Sequence, residues 1–176
     1  MHLEAQQTSD AVRRAQTGDR DAMRELWTLL TPRLFGYLLH TIRDADLAAD
    51  ILQRSWLRAI ESLHQYRDRG ASFDAWMFAI ARNECRQHWR RANRETPLDL
   101  DTHDVAAPDQ RQTTENHIAV ERALAQLPES DCEIIRLRYL ADLPLSEVAR
   151  VLGINPIAAR VRLHRLLRRL RSQLEP

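Results

Sequence analysis

The sequence contains no lysine, little glycine and only two cysteines. Cys85 and Cys132 lie too far apart for a metal-ligand motif and are too few for a disulfide framework, so both are interpreted as small buried apolar residues. Four glycines leave few tight turns, which favours long helices. No apolar run approaches the roughly 18 residues of a membrane span, and the N-terminus lacks the basic-then-apolar pattern of a secretion signal. These absences predict a cytoplasmic protein.

Arginine supplies all 26 basic residues, and its distribution is uneven although the formal net charge is only +1. Residues 96–115 contain one arginine and five acidic residues, whereas residues 150–176 contain seven arginines and one acidic residue. Local charge of this kind matters more than net charge for nucleic-acid binding. The C-terminal segment is therefore the first candidate for a DNA-binding surface.

Helical periodicity runs through nearly the whole chain and no segment alternates convincingly as a strand, which predicts an all-α fold. Asp19 is expected to cap a helix that ends near Leu30. Thr31 and Pro32 are expected to begin the next helix, since they supply a cap and a proline at the first helical position.

The segment 44–63 predicts a helix capped by Asp44. Its apolar stripe consists of Ala48, Leu52, Trp56, Ala59 and Leu63. The opposite face carries, again at helical spacing, Asp46, Asp50, Gln53 and Leu57. An acidic and polar face with one exposed leucine suits a protein partner, and a merely solvated face remains the alternative.

Ser72 is expected to cap a long helix over residues 72–94. Its C-terminal half carries Arg82, Asn83, Arg86, Gln87, Trp89 and Arg90. Arginine and amide side chains interleaved with an aromatic ring suit unpaired bases and phosphates. The preceding loop, with Tyr66, Arg67 and Arg69, is suited to embrace an extruded base. A charged surface helix is the alternative interpretation.

Residues 95–113 contain Pro97, Pro108 and five acidic residues, with little apolar periodicity. This composition predicts an acidic, flexible linker, because a loop of that length inside one compact domain is unusual. The sequence therefore predicts two small helical domains, over residues 8–94 and 114–175.

The second domain is expected to begin with a helix over residues 116–126. After Leu127 and Pro128, a further helix is expected from residue 129 to about Ala141. Its apolar residues lie on most sides, so the sequence predicts that it is buried; they are Ile134, Ile135, Leu137, Tyr139 and Leu140.

Residues 144–171 carry the sharpest motif in the chain. An apolar stripe with the spacing i, i+3, i+4, i+7 consists of Leu145, Val148, Ala149 and Leu152. Gly153 stands where a left-handed helix end is needed, Asn155 is a good N-cap, and Pro156 suits the first helical position. A short helix, a turn of about three residues and a second capped helix make a helix-turn-helix.

The second helix of this motif has two different faces. The core stripe consists of Ala159, Leu163, Leu166 and Leu170, whereas the other face consists of Arg160, Val161, His164, Arg165 and Arg168, widened by Arg162, Arg169 and Arg171. Arginine forks onto phosphates or onto the guanine edge in the major groove. We therefore interpret this helix as DNA-binding, with a solvated arginine-rich helix as the alternative.

Two other function classes stay open at this point. One is a dimeric helix-turn-helix regulator whose first domain senses a ligand, and the other is an enzyme or metal protein that uses Cys85 and His88. Two candidate ligands are too few for a metal site, and no nucleophile, paired-carboxylate or phosphate-loop constellation is evident. The sequence therefore predicts neither catalysis nor a cofactor.

The whole pattern resembles the extracytoplasmic-function group of bacterial RNA polymerase sigma factors, over nearly all of the chain. The family's core-polymerase-binding helix is similar to DADLAADILQRSWLRAI, and its helix for the minus-10 promoter element to SFDAWMFAIARNECRQHWRR. Its fourth-region domain is similar to LPESDCEIIRLRYLADLPLSEVARVLGINPIAARVRLHRLLRRLRSQL. The resemblance implies a sigma-2-like helical bundle and a sigma-4-like helix-turn-helix domain.

The resemblance also implies roles for matching residues. The residues expected to contact the beta-prime clamp helices of core RNA polymerase are Asp46, Asp50, Gln53 and Leu57. The residues expected to contact the minus-10 element are Tyr66, Arg67, Arg82, Asn83 and Arg86. Among these, Asn83 and the loop near Tyr66 are expected to hold a flipped base. The residues expected to contact the minus-35 element are Asn155, Arg160, Val161, His164, Arg165 and Arg168. The polymerase beta flap is a further implied contact.

An anti-sigma factor, linked to the membrane, is the remaining partner that the resemblance implies. A sigma factor of this kind is expected in the cytoplasm at the nucleoid, or held at the inner membrane by that partner. One segment, 155–162, departs from the family's common pattern because Ala158 and Val161 stand where hydroxyl residues are usual. The change removes hydrogen bonding and permits methyl contact with thymine.

Overall fold

The computed structural model describes residues 2–68, 70–95, 124 and 126–174, with side chains described at 7–68, 70–92, 124 and 126–173. These residues form helices and turns and contain no strand, in agreement with the predicted all-α fold. The chain divides into two compact units, one within residues 1–106 and the other within 107–176. The predicted linker and most of the predicted helix over 116–126 lie outside the described residues.

The described residues of the first unit form a bundle of four helices. They are α1 (His2–Gln16), α2 (Arg20–Ile42), α3 (Ala45–Ser62) and α4 (Phe73–Glu95), with a 3-10 turn (Leu63–Gln65) after α3. Sequence reasoning did not predict α1. The core of the bundle contains three large aromatic side chains that are at most 2% exposed, namely Tyr37, Trp56 and Phe78. Trp56 also stacks on Trp27 of α2, with ring centroids 4.8 Å apart, which holds α3 against α2.

The predicted helix break at Thr31 and Pro32 is wrong, because α2 is continuous through both residues. A proline inside a helix removes one hydrogen bond and normally kinks or ends it. Here the ring of Pro32 is exposed, while Leu30 and Leu34 on either side of it are fully buried. Burial of the apolar stripe before and after Pro32 contributes more free energy than the lost hydrogen bond costs, so the helix continues through the proline.

Asp19 caps α2, as predicted. Its Oδ1 accepts hydrogen bonds from the backbone N–H groups of Asp21 at 2.9 Å and Ala22 at 3.1 Å. The bond from Ala22 is the largest cause that holds the pKa of Asp19 below its ordinary value of 3.8; burial, the next largest, raises this pKa, and the bond from Asp21 and the charge of Arg14 lower it further. The ionised cap therefore stabilises the fold above the unfolded-state pKa, and this contribution is lost as the pH falls through the folded-state pKa.

We expect Asp19→Asn, which keeps a capping oxygen but does not titrate, to lose less thermal stability on acidification than the natural protein. The comparison is between about pH 5 and about pH 2, the window in which the depressed carboxyl titrates, with melting followed by circular dichroism. Asp21→Asn removes an exposed carboxylate from the same turn without touching the cap and is the matched control. An acid-induced loss in Asp19→Asn equal to that of the natural protein would contradict the assignment.

The second unit contains three described helices. They are α5 (Glu129–Ile135), which runs into a π-helical turn (Arg136–Leu140), α6 (Leu145–Leu152) and α7 (Pro156–Leu174). The core of this unit contains Ile134, Leu137, Leu143, Val148 and Ala159, each at most 1% exposed.

The prediction of a fully buried helix to about Ala141 is wrong at its end. The N–H of Ala141 donates to the carbonyl oxygen of Arg136 at 2.9 Å, five residues back, so the last turn is wider than an α-helical turn. Ile134 and Leu137 are buried as expected, but Tyr139 is 53% and Leu140 38% exposed. Residues that α-helical spacing would place toward the core are therefore turned toward solvent in this π-helical turn.

Candidate nucleic-acid and polymerase interfaces

The turn between α6 and α7 has the geometry that the sequence predicts. Gly153 adopts φ 68° and ψ 33°, and a Cβ there would meet nothing within 4 Å, so glycine is required by the left-handed backbone rather than by lack of space. The N–H of Ile154 donates to the carbonyl oxygen of Ala149 at 2.9 Å. Asn155 Oδ1 accepts from the N–H of Ile157 at 2.8 Å and so caps α7. The helix-turn-helix is confirmed.

The two faces of α7 separate as predicted. Ala159, Leu163 and Leu166 are buried and attach the helix to its unit. The opposite, exposed face, called here the reading face, consists of Ile157, Arg160, Val161, His164, Arg165 and Arg168. Every member except Ile157 is among the sequence candidates, and Asn155 stands at the start of the same helix. None of the charged side chains of this face forms a hydrogen bond or ion pair within the described residues.

Arg162 does not widen the basic surface as the sequence interpretation expected. Its Nε donates to Asp131 Oδ1 at 2.5 Å and its guanidinium NH2 donates to Ser130 Oγ at 2.5 Å. Arg162 therefore ties α7 to the start of α5. The spacing of charges on one helix could not have revealed this, because Ser130 and Asp131 are about 30 residues earlier in the chain.

The side of α3 that faces away from the bundle carries all four polymerase candidates. Asp46, Asp50 and Gln53 are exposed, and Leu57 is 55% exposed. Ile60, which sequence reasoning missed, is 50% exposed and continues the same row three residues later. The exposed face of α3 is therefore acidic at its N-terminal end and apolar at its C-terminal end, with two large aliphatic side chains in water.

The loop before α4 is built around Tyr66. This side chain is only 7% exposed, its hydroxyl donates to the carbonyl oxygen of Ala71 at 3.0 Å, and its ring packs on Phe73 and Trp76 with centroids 5.4 and 5.2 Å away. Arg67 is exposed, but one guanidinium nitrogen donates to the carbonyl oxygens of His64 and Tyr66. Tyr66 and Arg67 therefore shape the loop from within.

Asn83 and Arg86 are exposed and Arg82 is half-buried on α4. Asn83 lies seven residues after Trp76, which places it about 10 Å further along the helix axis. The loop around Tyr66 contacts the first turn of α4. The loop and Asn83 therefore follow one another along the same side of α4.

Gln16, at the end of α1, also contributes to this loop, and no pattern in the sequence predicts it. Its Nε2 donates to the carbonyl oxygens of Leu63 and Tyr66, both at 2.9 Å. These bonds join α1 to the loop 47 and 50 residues later. Because helix-end carbonyl groups need partners, Gln16 fixes the chain where it leaves the 3-10 turn.

We expect Gln16→Glu to lower the free energy of unfolding of the first unit by about 1 to 2 kcal/mol. The substitution keeps the shape of the side chain but replaces both donor hydrogens with a carboxylate that repels the two carbonyl oxygens. Urea denaturation measures the change. Gln65→Glu makes the same chemical change on an exposed side chain of the 3-10 turn and serves as the control. Equal stability of the two variants would show that the Gln16 bonds do not hold the loop.

Cys85 and His88 do not assemble into a metal site among the described residues. Cys85 is 1% exposed, and no group of three or more His, Cys, Asp or Glu side chains able to hold a metal occurs in the described ranges. Nor does any helix in the part of the chain with described placement have the length and apolarity to cross a membrane.

Two families match the two units. The family described as sigma-70 region 2 matches residues 26–95, and sigma-70 region 4 matches residues 117–170. The chain is 32% identical to the ECF RNA polymerase sigma factor SigF of Caulobacter vibrioides, over 92% of this chain and 90% of SigF. This protein therefore belongs to the extracytoplasmic-function family of RNA polymerase sigma factors.

Two solved structures share the fold. CnrH in complex with the cytosolic domain of CnrY matches with a TM-score of 0.71 at 22% identity, over 96% of this chain and 97% of CnrH. The sigma factor RpoE of Bartonella quintana, in complex with the anti-sigma factor NepR, matches with a TM-score of 0.69 at 22% identity, over 87% of this chain and 96% of RpoE.

Proposed function

We propose that this sigma factor binds core RNA polymerase through the exposed face of α3 and brings it to promoters whose minus-35 element is bound by α7. The observation that carries the proposal is the reading face of α7, where three arginines project from a capped helix-turn-helix without forming ion pairs among the described residues. Arginines left in water on such a helix are available to phosphates and guanine edges.

The exposed face of α3 supports the polymerase contact. Asp46 and Asp50 offer negative charge to a basic partner, while Leu57 and Ile60 offer apolar area of the kind that partners bury at the centre of an interface. The beta-prime clamp helices are the proposed partner of this face. The exposed Tyr139 and Leu140 of the π-helical turn are the proposed contact with the beta flap.

The surface of α4 is proposed to bind the separated minus-10 strand. Asn83, Arg86 and Arg82 offer amide and guanidinium donors to bases and phosphates of a single strand. Tyr66 is buried and is proposed to support the loop, while Arg67 of the same loop is exposed and is proposed to contact DNA. The protein is proposed to act by binding and by nucleating strand opening, without catalysis and without a cofactor.

An anti-sigma factor is the third proposed partner. The support is the similarity in fold to RpoE, which was solved with the anti-sigma factor NepR, together with the exposed aliphatic side chains of α3, which a regulator would cover. We propose that the protein works in the cytoplasm at the nucleoid and is held inactive, at the inner membrane where its regulator is membrane-linked, until a signal releases it.

The test combines core-polymerase binding with transcription in vitro. Start sites mapped after overproduction of the protein supply the promoters, and purified protein with core polymerase should then initiate at those sites. Tight binding to duplex DNA by the protein alone, with no binding to core polymerase, would instead identify a helix-turn-helix regulator and refute the sigma mechanism.

A further inference from the structure

Ile157 is the most exposed of the large hydrophobic side chains in the described parts of the chain, at 74%. One helical turn later Val161 is 44% exposed. The core of the second unit takes Ala159, Leu163 and Leu166 from this helix instead. The fold therefore leaves two adjacent aliphatic side chains in water at the N-terminal end of α7.

These two side chains stand in the middle of the reading face. Ile157, Val161, His164 and Arg168 follow the spacing i, i+4, i+7, i+11, which forms one row along a helix of 3.6 residues per turn. Arg160 and Arg165 fall on opposite sides of that row. The apolar pair is thus flanked by positive charge.

Ile157 is also held in a defined position. Its N–H donates to Asn155 Oδ1 at 2.8 Å, so the backbone at the first turn of α7 is fixed. A β-branched side chain in a helix has one strongly preferred χ1 rotamer. The backbone that carries the Ile157 side chain is therefore already ordered before a partner covers it.

The charge around the pair selects duplex DNA as that partner. Arginines on both sides of an apolar row complement the phosphates that border a DNA groove. Inside the major groove, the apolar group that distinguishes one base pair from another is the C5-methyl group of thymine. We propose that Ile157, supported by Val161, reads thymine methyl groups in the minus-35 element, an inference that rests on the proposed function of α7.

Uracil in place of thymine tests this proposal, because it removes the methyl group and leaves every hydrogen-bonding atom. Holoenzyme first selects a minus-35 element from duplexes randomised at that element, and each selected thymine on either strand is then replaced singly by uracil. Removal of one buried methyl group is expected to weaken binding by about fourfold at the contacted position. In holoenzyme with Ile157→Ala, thymine and uracil at that position should bind equally.

Arg160→Ala is the matched control, since it lies on the same face and lowers overall affinity through lost charge. The thymine-to-uracil ratio should survive in that variant. Selected elements without thymine, equal binding of thymine and uracil by the natural protein, or a ratio that Ile157→Ala does not change would each overturn the inference. A holoenzyme that selects no minus-35 sequence at all would instead refute the proposed function of α7, so the two failures are distinguishable.

Discussion

Holoenzyme that carries Arg165→Ala is expected to bind its promoter about 5- to 150-fold more weakly, which corresponds to about 1 to 3 kcal/mol for a lost arginine contact. Arg165 is exposed and forms no ion pair within the described residues, so its guanidinium is available to DNA. Affinity for core polymerase should not change, because Arg165 is not among the residues proposed to contact polymerase, which lie on α3 and in the π-helical turn.

The salt dependence of promoter binding tells which DNA group Arg165 contacts. A phosphate contact predicts that the slope of log affinity against log salt falls by about 1 with no change in sequence preference, whereas a guanine contact predicts relaxed preference at one position. Fluorescence anisotropy with promoter duplexes at several salt concentrations measures both.

Arg162→Ala is the matched control for this experiment, since it makes the same change three residues away on the same helix. Its guanidinium is occupied by Asp131 and Ser130, so we expect a loss of about 1 kcal/mol in stability for this partly exposed pair. Promoter affinity below the melting temperature should stay near that of the natural protein. An equal loss of promoter affinity in Arg162→Ala and Arg165→Ala would contradict the division of α7 into a scaffold side and a reading face.

Asp50→Arg is expected to weaken binding to core polymerase by about 100-fold or more, because like charges brought together in an interface cost several kcal/mol. Asp50→Ala, which only removes the carboxylate, should have a smaller effect in the same direction. The side chain is exposed on α3, and its removal leaves no buried group without a partner. Binding of the labelled variants to core polymerase is the measurement.

Asp21→Arg reverses charge at an exposed position of a different helix, α2, and controls for the general effect of charge. Saturating amounts of Asp50→Ala should largely restore transcription from a mapped promoter, because excess sigma factor compensates for weak binding to polymerase. Saturating amounts of Arg165→Ala should not restore it when the promoter is limiting. If Asp50→Ala and Arg165→Ala each reduced polymerase binding and promoter binding equally, the assignment of polymerase binding to the exposed face of α3 and of minus-35 binding to the reading face of α7 would be wrong.

The features that sequence predicted correctly are those that depend on local spacing. The stripe of Ala48, Trp56 and Ala59 is at most 2% exposed, because one side of a helix at 3.6 residues per turn must face the core. The turn at Gly153 and Asn155 was predictable for a similar reason, since left-handed backbone and N-caps have narrow residue preferences.

The features that were missed depend on contacts between distant parts of the chain. Pro32 reads as a helix start until the burial of Leu30 and Leu34 is known. Gln16 is an ordinary polar residue in sequence, and only the folded chain brings its amide to Leu63 and Tyr66. The exposure of Tyr139 follows from one wide turn, which periodicity does not predict.

The two sides of α7 also bear on how promoter preference changes over evolutionary time. Asn155 and Arg162 hold the helix in place, while the side chains of the reading face are exposed and support no other part of the described fold. Substitutions at such surface positions usually alter stability by less than about 0.5 kcal/mol. With the reading face binding the minus-35 element as proposed, a duplicated gene for this protein could therefore change its promoter preference by substitutions on that face, without compensating changes in the described part of the fold.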